Sequence, residues 1–173
     1  MAHFDYIFCG TGASASLLLL QLDQNNLLDN IKVLLIDPDT KEKNDKTFCF
    51  WADNLEPIAV DLKQFISHSW EKVLLDDDTV QSLSPFKYNH ISSIDLYNQI
   101  RFLEQKYNWQ RVTDYVDDIS SDIKGSFVLV NGEKLRARYI FDSRPPLYTL
   151  AKTNETHIFQ SFIGWKIATD LEF

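Results

Sequence analysis

An α/β fold built on a parallel sheet is predicted by two short apolar runs that flank a glycine-containing turn and a helix-forming segment. Residues 6–9 form the first run, which stops at Gly10, and an Ala- and Leu-rich segment at 13–22 follows at once. Residues 32–37 form the second run, which Pro38 ends. Strand, turn, helix and strand in this order make a βαβ unit, whose strands are parallel with a right-handed crossover.

The glycine turn has the spacing of a dinucleotide-binding fingerprint. Gly10 permits the tight turn, Gly12 lets a pyrophosphate approach the backbone, and Ala15 lets the helix pack closely on the strand. The free N–H groups of a helix that begins near Ala13 would face the phosphates. Asp37 ends the second strand, where an acid binds ribose hydroxyls and disfavours a 2′-phosphate, so FAD or NAD is preferred over NADP. The alternative is a buried strand that simply ends in glycines.

Four further elements follow the first unit, after a charged, turn-rich loop at residues 39–46. Ser92 or Ser93 can cap the helix among them, and Asn131-Gly132 is the residue pair that a type I′ hairpin turn favours. The predicted elements are an aromatic run at 47–51, a strand at 66–75, a helix at 94–107, and a hairpin with arms at 126–130 and 134–142.

Composition excludes several classes of protein. The 25 acidic residues outnumber the 17 lysines and arginines, with a net charge of −8 and no basic cluster, so no nucleic-acid partner is expected. Cys9 and Cys49 form no metal-binding spacing with the histidines, so both are predicted to be reduced, buried thiols, and no metal site is predicted. No signal-peptide pattern is present, and no apolar run reaches the about 20 residues of a membrane span. A cytoplasmic location is predicted, with contact with a membrane surface left open.

The order of elements after the first unit favours FAD over NAD. An NAD dehydrogenase would continue with further βα units after Asp37, whereas a charged loop, aromatic strands, one helix and a hairpin intervene before residues 139–142. Flavoproteins with a glutathione-reductase-like FAD domain have this order: a βαβ unit, an inserted region, and a hairpin that leads back into the sheet. The predicted fold is therefore a Rossmann-like FAD-binding domain of the glutathione-reductase-like flavoprotein type, incomplete, with an inserted β-rich substrate region.

Five segments, in this order, resemble the lycopene cyclase family, specifically its lycopene β-cyclase type. The segments are FDYIFCGTGASASLLLLQL, VLLIDPD, NDKTFCFW, RYIFDSRPP and FQSFIGWKI. Together they extend over essentially the whole chain, and TFCFW and FQSFIGW are more specific than the glycine motif, which many flavoproteins share. The resemblance implies FAD contacts at Gly10, Gly12, Ala15, Asp37 and Asp142. It also implies that two aromatic segments line the flavin and polyene cavity, with Phe48, Phe50, Trp51, Phe162 and Trp165 as the candidate side chains.

The reaction that this resemblance implies is closure of the acyclic ends of lycopene into β-rings, an isomerisation without net oxidation or reduction. It requires proton addition to an end double bond, ring closure through a carbocation, and proton loss. The family binds FAD in its reduced form, for which NAD(P)H is a candidate reductant. Because lycopene is so insoluble, a working cyclase is expected to touch a membrane surface.

No catalytic residue is assigned, because the family's catalytic carboxylate lies in an acidic motif expected beyond Phe173. The chain is therefore predicted to be the N-terminal part of a single FAD-binding cyclase domain and to be inactive alone. Its predicted parts are the βαβ unit at 1–45, an inserted aromatic region at 46–110, the hairpin and return strand at 111–145, and the start of a further substrate region at 146–173. Two alternatives stay open: another FAD-dependent monooxygenase or oxidoreductase of this fold, and a non-catalytic nucleotide-binding remnant.

Overall fold

The computed structural model describes residues 3–75 and 78–145, which form eleven strands and three α-helices. The strands are β1 (His3–Cys9), β2 (Val33–Ile36), β3 (Thr47–Ala52), β4 (Ile66–Trp70), β5 (Lys72–Leu74), β6 (Val80–Ser82), β7 (Lys87–Ser92), β8 (Gln110–Val112), β9 (Asp118–Asp122), β10 (Gly125–Val130) and β11 (Glu133–Asp142). The helices are α1 (Ala13–Gln24), α2 (Pro57–Asp61) and α3 (Ser93–Tyr107), and a 3₁₀ turn spans Lys63–Phe65.

A six-stranded mixed sheet with a parallel core is the centre of the fold. Its strand order is β8-β2-β1-β11-β10-β9. β1 pairs in parallel with both β2 and β11, and β8 pairs in parallel with β2, whereas β9 and β10 are antiparallel to their neighbours. All four residues of β2 are buried, because both faces of a central parallel strand are covered. The predicted βαβ unit and its parallel strands are therefore confirmed.

The two faces of this sheet contact two separate hydrophobic clusters. Alternate residues of β2 divide between them: Val33 and Leu35 belong to the cluster beneath α1 and α3, and Leu34 and Ile36 to the cluster that includes residues of β10 and β11. α1 and α3 are joined at their C-terminal ends, where Asp23 accepts hydrogen bonds from the side chains of Lys106 and Tyr107 at 2.7 and 2.6 Å. In the predicted partition of the chain, which stays a prediction, α3 falls in the inserted region.

The hairpin of β10 and β11 brings the chain back into the centre of the sheet. Asn131 and Gly132 have φ angles of 50° and 76°, both in the left-handed region that a type I′ turn requires, so the predicted hairpin is confirmed. β11 then continues past the hairpin and pairs with β1, with Asp142 opposite Cys9. The parallel pairing of β11 with β1 therefore brings an acidic residue beside the glycine turn.

The segment at 66–75 is not the single strand that its sequence predicted. β4 pairs with β7 in a three-stranded sheet of order β3-β7-β4, whereas β5 pairs with β6 in a separate two-stranded sheet. The chain changes sheets at Glu71, whose carbonyl oxygen accepts a hydrogen bond from the Leu83 N–H group. β7 was not predicted, because its sequence KYNHIS alternates too little between polar and apolar residues to indicate a strand.

The predicted helix at 94–107 is confirmed as α3, whose apolar stripe faces the core. Leu96, Tyr97, Ile100 and Leu103 are buried. Ser92 lies at the N-cap position but makes no side-chain hydrogen bond to the helix. Within the described residues, no helix combines the length and the apolar character that crossing a membrane would require.

The prediction that both cysteines are buried is wrong for Cys49, which is exposed. Side chains alternate between the two faces of β3, so Phe48 and Phe50 pack against the core while Cys49 projects from the opposite face. Cys9 is fully buried, and burial together with the nearby Asp142 charge raises the pKa of its thiol to about 12 despite the opposing Arg144 cation.

We therefore expect the two thiols of the native protein to differ sharply in reactivity. The thiolate is the reactive form, so Cys49 should react quickly with DTNB at pH 8, and Cys9 only after unfolding in guanidinium. The measurement is the absorbance of the released thionitrobenzoate over time. Cys49→Ser should remove the fast phase alone. Two equally fast thiols in the native protein would contradict the burial of Cys9.

Candidate functional site

The glycine turn, residues 10–12, is held in a conformation that only glycine adopts easily at its first position. Gly10 has a φ angle of +88°, and its N–H group donates a 2.8 Å hydrogen bond to the Ile36 carbonyl oxygen at the end of β2. A Cβ atom at Gly10 would lie 2.7 Å from Oγ of Ser143, a separation that side chains do not tolerate. The turn is therefore pressed between the ends of β2 and β11.

The approach to Gly12 is open, in contrast to that of Gly10. Gly12 is the N-cap residue of α1, and no described side chain caps this end of the helix. A Cβ atom at Gly12 would meet no described atom within 4 Å. Ala13 begins the helix and Ala15 is buried in the core, so the helix N-terminus lies directly against the sheet. Uncapped N–H groups and open backbone fit the pyrophosphate of a dinucleotide.

Asp37, directly after β2, is a buried carboxylate with 5% of its surface exposed. Its Oδ2 atom accepts hydrogen bonds from the Thr11 N–H group at 2.7 Å and from the Thr11 hydroxyl at 3.1 Å. Its Oδ1 atom accepts from the Asp39 N–H group at 2.9 Å and lies 3.3 Å from Nζ of Lys41. Burial alone would raise the pKa of Asp37, but these hydrogen bonds and the Lys41 cation outweigh it and leave the pKa below its usual value.

Arg111 connects this carboxylate, through Thr11, to helix α3. It lies on β8 opposite Leu35, and its Nη1 atom donates to the Thr11 hydroxyl at 3.3 Å. Its remaining guanidinium donors bind both carboxylate oxygens of Glu104 on α3. Glu104, Arg111, Thr11 and Asp37 therefore form one continuous hydrogen-bonded chain beneath the glycine turn.

Asp142 lies at the end of β11, beside the glycine turn, because it is paired with Cys9 at the end of β1. Its carboxylate binds the Arg144 guanidinium, with 2.8 Å between Oδ1 and Nε, and hydrogen bonds from Arg144 lower the pKa of Asp142. The next residue, Ser143, donates its hydroxyl hydrogen bond to the Gly10 carbonyl oxygen at 3.0 Å. Its N–H group donates to the Cys9 carbonyl oxygen at 2.9 Å. The loop after β11 is thereby fixed to the turn.

The aromatic residues predicted to line a cavity are divided between two faces of the three-stranded sheet. Phe48 and Phe50 pack against the core. Trp51 projects from the other face with 54% of its surface exposed, where its ring lies 4.7 Å from that of Tyr88, and Tyr88 lies 5.8 Å from Trp70. We call Trp51, Trp70 and Tyr88 the outer aromatic face.

Phe162 and Trp165 lie outside the described residues. The substrate roles of all five aromatic side chains stay predictions, as do the individual cofactor roles.

The structure brings the predicted cofactor residues together at one edge of the sheet, at the carboxyl ends of β1, β2 and β11. Sequence reasoning missed several residues around them: Thr11, Lys41, Ser143 and Arg144 contact them directly, and Arg111 contacts Thr11. Lys41 had a detectable signal, since it lies four residues after Asp37, and Thr11 lies inside the glycine motif itself. Arg111 and Ser143 had none, because 100 and 133 positions separate them from their partners.

Three solved structures illustrate which fold this is. The chain is similar to p-nitrophenol 4-monooxygenase PnpA from Pseudomonas putida DLL-E4, with a TM-score of 0.60, 13% identity, and coverage of 87% of this chain and 43% of that one. It is also similar to the flavin-dependent brominase Bmp2, with a TM-score of 0.53, 15% identity, and coverage of 82% and 38%. Halogenase PltM in complex with phloroglucinol and FAD gives a TM-score of 0.50, 15% identity, and coverage of 86% and 35%.

The chain thus spans less than half the length of these structures, and the likeness concerns the fold alone. No curated protein sequence matches the chain. The fold that this likeness supports is a mixed α/β fold with a parallel sheet. The model of the lycopene cyclase protein family matches residues 5–173, and the chain belongs to this family.

We expect alanine to destabilise the protein at Gly10 and to have little effect on its stability at Gly12. Gly10→Ala should lower the free energy of unfolding by about 1–3 kcal/mol, because its φ angle is positive and its Cβ would collide with Ser143. Gly12→Ala, the matched control, should change it by less than about 0.5 kcal/mol, since its φ angle of −76° and its surroundings accept a methyl group. Denaturant unfolding measures both, and equal losses would contradict the difference in packing.

Proposed function

We propose that this chain holds FAD for a lycopene cyclase, which closes the ends of lycopene into β-rings by acid-base chemistry without net redox change. The family match over residues 5–173 is the observation that carries the reaction. The geometry of the glycine turn supports the cofactor. In this proposal the domain is of the glutathione-reductase-like flavoprotein type, and NAD(P)H serves to reduce the flavin.

The residues at the carboxyl edge of the sheet fit the two polar parts of the ADP half of FAD. Gly12 and the N-terminus of α1 offer unobstructed N–H donors to the pyrophosphate, and the ionised Asp37 offers acceptors to the ribose hydroxyls. Asp142, at the end of β11, would lie on the flavin side of the turn. One solved structure of similar fold, halogenase PltM, is in complex with FAD.

Reduced FAD would supply negative charge close to a carbocation formed on the polyene. The chain's own contribution to such a cation would come from aromatic surfaces, whose negative ring faces attract positive charge. The outer aromatic face offers two tryptophans and a tyrosine in contact across three strands, and we propose that lycopene lies along it. A substrate of this kind also implies contact between the enzyme and a membrane surface.

The second candidate is an FAD-dependent monooxygenase, which the fold likeness to PnpA favours. The two functions differ in their co-substrates. A monooxygenase consumes NAD(P)H and oxygen with each turnover, whereas a cyclase consumes neither in net terms.

We expect the purified chain to bind FAD with a strength that depends on Gly12. Gly12→Ala should weaken binding at least about tenfold, because its methyl group would enter the space through which the pyrophosphate reaches the backbone. Quenching of flavin fluorescence gives the Kd. Gln24→Ala, at the exposed far end of the same helix, is the control and should bind like the wild type. Equal affinity of Gly12→Ala and wild type would place FAD elsewhere.

We expect the complete protein that contains residues 1–173 to incorporate solvent hydrogen into lycopene. With reduced FAD and lycopene in liposomes prepared in D₂O, each new β-ring should carry one deuterium, because ring closure begins with proton addition. Mass spectrometry of the product measures the incorporated deuterium, and an oxygen electrode measures oxygen uptake. An oxygenated product with oxygen uptake would support the monooxygenase, and the chain alone should give neither product.

A further inference from the structure

The carboxylate of Asp37 is already saturated with donors from the protein. An ionised carboxylate has about four lone-pair sites. Its Oδ2 atom receives the backbone N–H and the hydroxyl of Thr11, and its Oδ1 atom receives the Asp39 N–H and the Lys41 ammonium. The ribose of FAD also brings hydroxyl donors to this carboxylate. One of the four contacts must therefore give way when the ribose binds.

Three of the four donors are fixed by their surroundings. The Thr11 N–H belongs to the glycine turn, and the Asp39 N–H belongs to the tight turn after β2. The Thr11 hydroxyl is held from its other side by Arg111 at 3.3 Å. Lys41, by contrast, reaches Oδ1 from a flexible four-carbon stem, and its 3.3 Å separation is the longest of the four.

We propose that Lys41 competes with the ribose hydroxyls for Oδ1 of Asp37 and must leave this oxygen for FAD to bind. This inference rests on the proposed FAD site and concerns how tightly that site holds its nucleotide. Without nucleotide, Lys41 neutralises a carboxylate that would otherwise be buried without a cation. With nucleotide, the ribose takes over one of its contacts.

The turn formed by residues 37–41 places the Lys41 side chain against the Asp37 carboxylate. Asp39 donates its N–H to Asp37, and Lys41 in turn donates its N–H to Oδ1 of Asp39 at 2.6 Å. Lys41 has a φ angle of 57°, a left-handed conformation that is uncommon for lysine, and its ammonium lies 3.3 Å from Oδ1 of Asp37. Its ammonium also lies 5.7 Å from the centre of the Tyr97 ring, a second attraction on the same side of the loop.

Removal of the Lys41 ammonium tests this inference, which predicts tighter FAD binding. A general attraction between lysines and phosphates predicts weaker binding instead. Lys41→Met keeps the length of the side chain, frees one acceptor site on Oδ1, and should lower the Kd for FAD about five- to tenfold. The same variant should unfold at lower urea concentration without nucleotide, because Asp37 then lacks its cation. Lys43→Met is the control: Lys43 is an exposed lysine of the same loop, and its loss should leave the Kd unchanged or slightly raised.

Kd values from flavin fluorescence quenching and urea midpoints decide between the outcomes. In an Asp37→Asn background, Lys41→Met should no longer change the Kd, since no carboxylate remains to compete for. Wild-type binding that Lys41→Met leaves unchanged or weakens would overturn this inference and leave the FAD site intact. If neither the wild type nor Lys41→Met binds FAD, both this inference and the proposed FAD site are wrong.

Discussion

The fold depends on the close approach of Gly10 to the loop that follows β11. A Cβ atom at position 10 would lie only 2.7 Å from the Ser143 hydroxyl oxygen, which donates to the Gly10 carbonyl oxygen. On its other side, Gly10 donates to the end of β2. These contacts keep three parallel strand ends at one level. The N-terminus of α1, Asp37 and Asp142 all lie at these strand ends. The position of every proposed cofactor contact therefore depends on the close packing of Gly10 against the loop after β11.

A chain of hydrogen-bonded polar side chains, buried at Thr11 and Asp37 and partly buried at Arg111 and Glu104, complements this backbone contact. Glu104, Arg111, Thr11 and Asp37 are contributed by α3, β8, the glycine turn and the end of β2. A buried carboxylate without such partners would be costly, whereas a fully hydrogen-bonded one stays ionised and fixed in orientation. The region between β2 and β9 therefore does more than cover one face of the sheet, since it returns a guanidinium to the base of the nucleotide turn.

Local patterns in the sequence were sufficient for the elements whose signal is contained in a few neighbouring residues. The first βαβ unit and the Asn131-Gly132 hairpin depend on glycine chemistry and apolar runs, and both are present as predicted. The short polar strands around residues 66–92 were missed or merged, because pairing with distant partners, and not their own composition, makes them strands. Arg111 and Ser143 were unpredictable for the same reason: their contacts arise only from the tertiary fold.

The pairing of β1 with β11 also has a consequence for the order of synthesis. The contact between Cys9 and Ser143 joins positions 134 residues apart. Strand β1, the first to be synthesised, therefore depends on contacts with β11 and the loop that follows it. Non-local contacts of this kind form late, because the intervening chain must first be organised. During translation the glycine turn therefore emerges early, but it lacks its contacts with Ser143 until residue 143 has left the ribosome. Nascent chains interrupted before that point would carry the glycine motif and lack the finished turn.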